Sequence, residues 1–215
     1  MRLHAQLPAN IVEIHRRSFV MPTEVDHWRA YLIAIANTHS PQYAMHERLI
    51  GNLSHRLQLL EFETALLLHY RDMAALQAAT LHICVLRLKI HQHAVLCHSI
   101  LEGIGSHLRR ADLHRQQQAF NPANYVSAER WRAAIIGTCF NHLPQQDKDI
   151  LNSDLVGLAH RRDRVHLDRF VATAPLHYNI FTIPNCFEPT YHLFRRVMGG
   201  FNLNWPADTC LNENI

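Results

Sequence analysis

The spacing of apolar residues between Leu76 and Leu108 constrains this chain more than any other feature. Leu76, Ile83, Leu86, Ile90, Ala94, Cys97, Leu101, Ile104 and Leu108 follow one another, after a first interval of seven, at steps of three or four. With 3.6 residues per turn, such steps stack into one stripe along a helix, a seam that another helix must cover. The cover lies just upstream: Leu49, Leu53, Leu57, Leu60, Leu67 and Leu68 form a second helical run. Ser40 and Pro41 read as its N-cap and first-turn pair, it extends to about Arg71, and Asp72 caps the longer helix that follows. With almost no linker between them, the two helices must fold back as an antiparallel hairpin over about 41–110.

The rest of the chain is expected to be helical too. Seven glycines and nine prolines in 215 residues supply few strand-and-turn signals. A content of 48% hydrophobic and 18% charged residues is that of a chain with a packed core. Residues 9–18 and 23–38 read as two modest amphipathic helices, the second with Glu24 in its first turn. Residues 111–126 are polar and glutamine-rich, as in a surface loop. Ser127 caps a helix to about Leu143 with Trp131, Ile135 and Cys139 or His142 inward. A further helix from about Pro144 carries Ile150, Leu151, Leu155, Leu158 and Val165, and a last one, Pro189 to Met198, carries Tyr191, Phe194 and Met198. The expectation is an all-α helical bundle: an N-terminal helical extension over 1–40, the bundle over 41–200, and a loosely ordered tail over 201–215.

No stretch reaches the roughly 18–20 uncharged apolar residues that span a bilayer, and the first eight residues lack a signal peptide's apolar core. Five scattered cysteines without a C-x-x-C pair fit free thiols in a reducing cytoplasm. A membrane partner is therefore not expected. The formal charge of +3 permits a nucleic-acid partner without requiring one. Lys89 and Lys148 are the only lysines among 21 basic residues. Arginine suits bidentate contact with phosphate or carboxylate, and a coding bias toward arginine is the plainer reading.

The 18 histidines invite a metal reading, and the spacing argues against it. Pairs such as His93 with Cys97 exist. There is no H-E-x-x-H, no doubled Glu-x-x-His of the di-iron bundle type and no four-ligand zinc spacing, so no metal site and no cofactor is assigned. His82, His91, His93 and His98 lie on scattered faces of one helix, as surface or hydrogen-bonded core residues would. Nucleophile elbows, P-loops and dinucleotide-binding glycine patterns are missing as well. Gly103 and Gly105 fall in mid-helix and are expected to permit close helix packing.

One constellation remains: His160-Arg161-Arg162-Asp163-Arg164-Val165-His166-Leu167-Asp168, followed by Arg169. At 100° per residue Arg162 and His166 are about 40° apart and share a face, while Arg161 lies about 140° from His166. Histidine moves a proton near neutral pH, and arginine holds a phosphate and the charge that builds on it, a combination suited to phosphodiester cleavage. A solvated basic helix face, with Asp163 and Asp168 as ion-pair partners, accounts for the same residues.

Arg161 to His166 resembles the Arg-x(4–6)-His signature of the HEPN superfamily. It departs from that signature in placing Arg162 directly after Arg161, where the family carries a polar residue. Starting from Arg162 restores the polar Asp163 but leaves only three intervening residues. The segment Ala94 to Leu108, with Glu102 in Ser99-Ile100-Leu101-Glu102-Gly103, is similar to the early helix of such domains, and the helix with Tyr191 to their closing one. The likeness spans about 41–200. It implies a helical bundle that pairs with a second copy and acts on RNA, in many members as a metal-independent endoribonuclease of toxin or defence systems. His166 would be the acid–base residue, Arg161 or Arg162 the phosphate ligand, and Asp163 the polar helper. His160, Arg164 and Arg169 would contact RNA, and an antitoxin protein would be a further partner. The alternative is a non-catalytic helical module that binds RNA or a partner as a dimer.

Overall fold

A computed structural model describes the chain over residues 23–72, 80–163, 180–207 and 209–212. Six α-helices lie in those ranges: α1 Val25–His39, α2 Glu47–Asp72, α3 Thr80–Arg115, α4 Ala128–Cys139, α5 Gln145–Asp163 and α6 Glu188–Gly199. A π-helical turn, Ile183–Phe187, leads into α6, and a 3₁₀ turn, Cys210–Asn212, follows it. The all-α expectation holds, with no strand among the described residues. The helix expected over 9–18 and the positions Leu76 and Val165 lie outside those residues.

The hairpin forms as the apolar spacing requires. On α3 the stripe from Ile90 through Leu108 is buried, and Leu53, Leu57, Leu60 and Leu67 of α2 are buried opposite it. Its direction is fixed by cross-contacts. Gly103 faces Leu53, while His93 hydrogen-bonds Thr64 at 3.2 Å, so α2 and α3 run antiparallel. A part-buried ion pair, Lys89 Nζ to Glu63 Oε1 at 2.8 Å, closes the end nearer the turn. At about 54 Å for its 36 residues, α3 is the axis of the bundle, and α2, α4, α5, α6 and the π-helical turn all lean on it.

Ser40 does not open α2. It ends α1, with its Oγ donating to the Ala36 carbonyl at 2.9 Å and lying 2.8 Å from His107 Nε2 of α3. A short turn then precedes Glu47, the first residue of α2. Residues 23–39 are part of the core rather than an appendage to it. Trp28, Tyr31, Leu32, Ile35 and Ala36 are buried, and the carboxylate of Glu61 accepts hydrogen bonds from Thr23 N (2.9 Å), Thr23 Oγ1 (2.6 Å) and Trp28 Nε1 (3.1 Å).

The described end of the chain is also packed. Phe201 and Leu211 are fully buried, and Trp205 makes ring contacts with Trp28, Tyr31 and Phe194. Tyr191 donates from its hydroxyl to the Leu211 carbonyl at 3.2 Å. The loose tail expected beyond residue 200 is, through Leu211, a strap across α1 and α6. Two smaller departures concern α3, which runs on to Arg115, and Ile150, which faces solvent because Leu151, Leu155 and Leu158 take the inward face of α5.

Gly103 and Gly105 are points of close approach to α3. A methyl at Gly105 would stand 2.7 Å from the Trp131 carbonyl oxygen, and one at Gly103 would stand 2.8 Å from Leu53 Cδ2. A backbone oxygen cannot move aside as a leucine methyl can. Gly105→Ala is therefore expected to cost about 2–3 kcal/mol in urea unfolding and Gly103→Ala about 1 kcal/mol or less. Gly137, with no atom of the described residues near its missing Cβ, should gain up to about 1 kcal/mol from alanine. Equal effects at all three positions would refute this account of the packing.

Candidate functional site

The C-terminal end of α5 meets the middle of α3, and the meeting point is charged. Glu102 on α3 is its hub. One carboxylate oxygen accepts a hydrogen bond from the Tyr125 hydroxyl at 3.1 Å. The other lies 3.7 Å from Arg162 Nη1 and 3.7 Å from His98 Nδ1. Arg162 holds its neighbour as well, donating from Nε and Nη2 to Asp163 Oδ1 at 2.9 and 2.7 Å. Two carboxylates thus flank one guanidinium.

Helical geometry separates the two arginines of the motif. Being about 100° apart on α5, they turn to different neighbours: Arg162 reaches α3, while Arg161 donates from Nη1 to Thr190 Oγ1 of α6 at 3.1 Å. His160 is exposed. Arg164, His166 and Arg169 lie outside the described residues. Of the sequence-derived candidates, the structure brings Arg162 and Asp163 to Glu102 and turns Arg161 away from it.

Three residues at the cluster escaped sequence reasoning. His98 sits one turn before Glu102 on α3, an i,i+4 spacing that could have flagged it. Its ring packs edge-on against Trp131 at 5.4 Å, and neither ring nitrogen has a hydrogen-bond partner among the described residues. Burial, reinforced by the cationic Arg162 and Arg132, pushes its pKa down to about 4 despite the favourable field of Asp163. Arg132 of α4 lies over the Trp131 ring at 5.9 Å and hydrogen-bonds Asn152. Tyr125, 73% exposed, projects from the loop before α4, and its hydrogen bond to Glu102 is the loop's tie to the cluster.

The other histidines of α3 serve the core. His93 is fully buried against Thr64 and Phe187, with its pKa pushed by burial to about 3. His107 is buried beside Ser40 and stacked on Tyr43, and burial followed by the Arg110 charge lowers its pKa to about 4. His91 is lowered by burial, partly offset by a hydrogen bond with the Arg162 backbone. Among the described residues no three His, Cys, Asp or Glu side chains are grouped to hold a metal ion, and no helix is long and apolar enough to cross a membrane.

These depressed histidine pKa values fix the sign of a pH effect. In the unfolded chain the same residues take up protons near pH 6.5, whereas in the fold His98 and His107 resist until about pH 4 and His93 until about pH 3. The unfolded state binds more protons between those limits, so stability is full above pH 6.5 and falls as the pH is lowered toward 4. Each site that fully resists protonation steepens the loss by about 1.4 kcal/mol per pH unit. Urea unfolding at pH 7.5, 6, 5 and 4.5 should show this slope, and His98→Phe should reduce it. A stability flat across that range would contradict the burial of these rings.

Compared with family models, with curated proteins and with solved structures, the chain finds no match, so its assignment rests on its own residues.

Proposed function

We propose that this chain is a HEPN-like protein that acts on RNA, with a metal-independent endoribonuclease as its candidate activity. The observation that carries this reading is the meeting of Glu102 with Arg162. Glu102 and Arg162, from two of the three stretches that carry the HEPN resemblance, lie 60 residues apart in sequence and meet at one point on the bundle surface. A solvated helix face would not require an acidic partner on another helix. In this reading Arg162 rather than Arg161 is the motif arginine, Asp163 orients it, and Arg161 braces the helix end against α6. His166 moves the proton, the RNA 2′-hydroxyl attacks the adjacent phosphorus, and the 5′-oxygen leaves with a proton. A second copy, related by two-fold symmetry, would supply the complementary histidine. His160, Arg164 and Arg169 would extend the RNA contact, and an antitoxin protein would be the natural restraint on such an activity.

A second reading draws on the same contacts. Arg162 is held by Asp163 and faces Glu102, and Arg161 is held by Thr190, so both guanidiniums already have partners. That arrangement suits a non-catalytic module in which the arginines fix the end of α5 and RNA or a protein partner binds alongside.

Incubating the purified full chain with total RNA and tRNA in EDTA separates the two. As an endoribonuclease, the native chain cleaves, and His166→Ala and Arg162→Ala each lose about 100-fold or more in rate at unchanged helicity and oligomeric size. Cleavage that persists in His166→Ala, or RNA binding without cleavage by the native chain, transfers the assignment to the binding module.

A further inference from the structure

About 15 Å further along α3 from Glu102, a cavity of about 630 Å³ opens between α3, α4 and the turn that joins α1 to α2. Its charge is unbalanced. Among the described residues, Arg109 and Arg115 of α3 and Arg130 of α4 line it against a single carboxylate, Asp112. Asp112 is shared by Arg109 at 2.9 Å and Arg115 at 2.6 Å, and Arg109 Nε is covered without a hydrogen-bond partner among the described residues. Three guanidiniums against one carboxylate leave two positive charges over.

Helix stability accounts for Arg115 but not for Arg130. Arg115 stands in the last turn of α3, where a cation complements the helix dipole. Arg130 stands in the first turn of α4, where the dipole disfavours a cation. It nevertheless faces the cavity. One stretch of the wall is small and apolar: Ala133, Ala134 and Gly137 of α4 leave the space open, with Ser40, Gln42 and Thr138 as polar groups beside them, and among the described residues nothing lies within 4 Å of where a Cβ on Gly137 would stand. One aromatic ring is fixed in the wall. Tyr43 is stacked on His107 at 5.6 Å and braced by His114 and Phe120. The volume is that of a small-molecule site.

We propose that this cavity binds a phosphomonoester carried on a flat, apolar body. Two excess arginine charges match the charge of about −1.5 to −2 on a phosphomonoester, and guanidinium forks match its oxygens. The alanine and glycine wall and the Tyr43 ring accept the flat body. The site is independent of the RNA reading above, since none of its lining residues belongs to the Glu102 cluster.

Titrating the full chain with 1-naphthyl phosphate tests it, with inorganic phosphate and 1-naphthyl sulfate as probes that lack the body or one of the charges. The naphthyl phosphate should bind at least about tenfold more tightly than either. Arg130→Glu removes a cation and places an acid where α4 favours one, and Gly137→Met fills the cavity from a position free of clashes. Each variant should weaken binding at least about tenfold with the urea midpoint preserved. Absence of binding, equal binding of the sulfate, or undiminished binding in either variant overturns the proposal. So does tighter binding of a single-stranded RNA octamer that lacks terminal phosphates and displaces the probe, because the cavity would then be a backbone contact.

Discussion

Close packing on both flanks of α3 is the constraint on which the described fold depends. One flank takes α2 through the leucine seam, and the other takes α4 at Gly105, where only a hydrogen side chain fits beside the Trp131 carbonyl. The two contacts differ in kind. The seam is long and made of replaceable aliphatic side chains, each contributing a few kcal/mol through burial. The Gly105 contact is a single point fixed by backbone. It brings Trp131, fully buried, onto His98 and thereby sets the wall behind Glu102. The same helix pair, two turns further along, bounds the arginine-lined cavity. Both candidate sites therefore depend on how closely α4 approaches α3.

Buried polar groups do the rest of the positioning. Glu61 collects two donors from Thr23 and one from Trp28, which ties the start of α1 to α2. Ser40 and His107 tie the end of α1 to α3. Cys210 and Leu211 return the chain to Glu61 and Tyr191 through the Glu61 and Leu211 carbonyls. These contacts join segments separated by 20 to 149 residues. Their geometry is more specific than that of apolar packing, because a buried donor or acceptor without a partner is costly.

The sequence was informative where periodicity was long. Eight apolar residues in register, Ile83 through Leu108, announced α3, and six leucines announced α2, because a helical stripe needs no tertiary information to be seen. Single residues with two possible roles were less legible. Ser40 before Pro41 reads as a helix start, yet its hydroxyl closes the preceding helix, since donating to an i−4 carbonyl and accepting at an N-cap require the same side chain. The strap from Phe201 to Leu211 showed no pattern, because its buried residues are few and spaced by polar ones whose contacts lie on α1, α2 and α6. The candidate site was half legible. The basic run was visible, but its meeting with Glu102 is set by the angle between α3 and α5, and Tyr125 lay in a stretch that composition marks only as surface loop.

The two charged regions along α3 differ in a way that bears on what each can bind. At Glu102 the charges are close to balanced: Glu102 and Asp163 flank Arg162, Arg132 acts on His98 from α4, and His98 stays neutral because burial opposes its protonation. An incoming phosphate there gains little long-range attraction and must compete with Asp163 for the Arg162 guanidinium. A phosphate ligand at that point therefore needs charge from outside the cluster, which is the part assigned to Arg164 and Arg169, or from a second copy of the chain. At the cavity the balance is already tipped by two charges, so an anion can be held there by this chain alone. The first region is suited to a contact completed by partners, and the second to a ligand small enough to be enclosed.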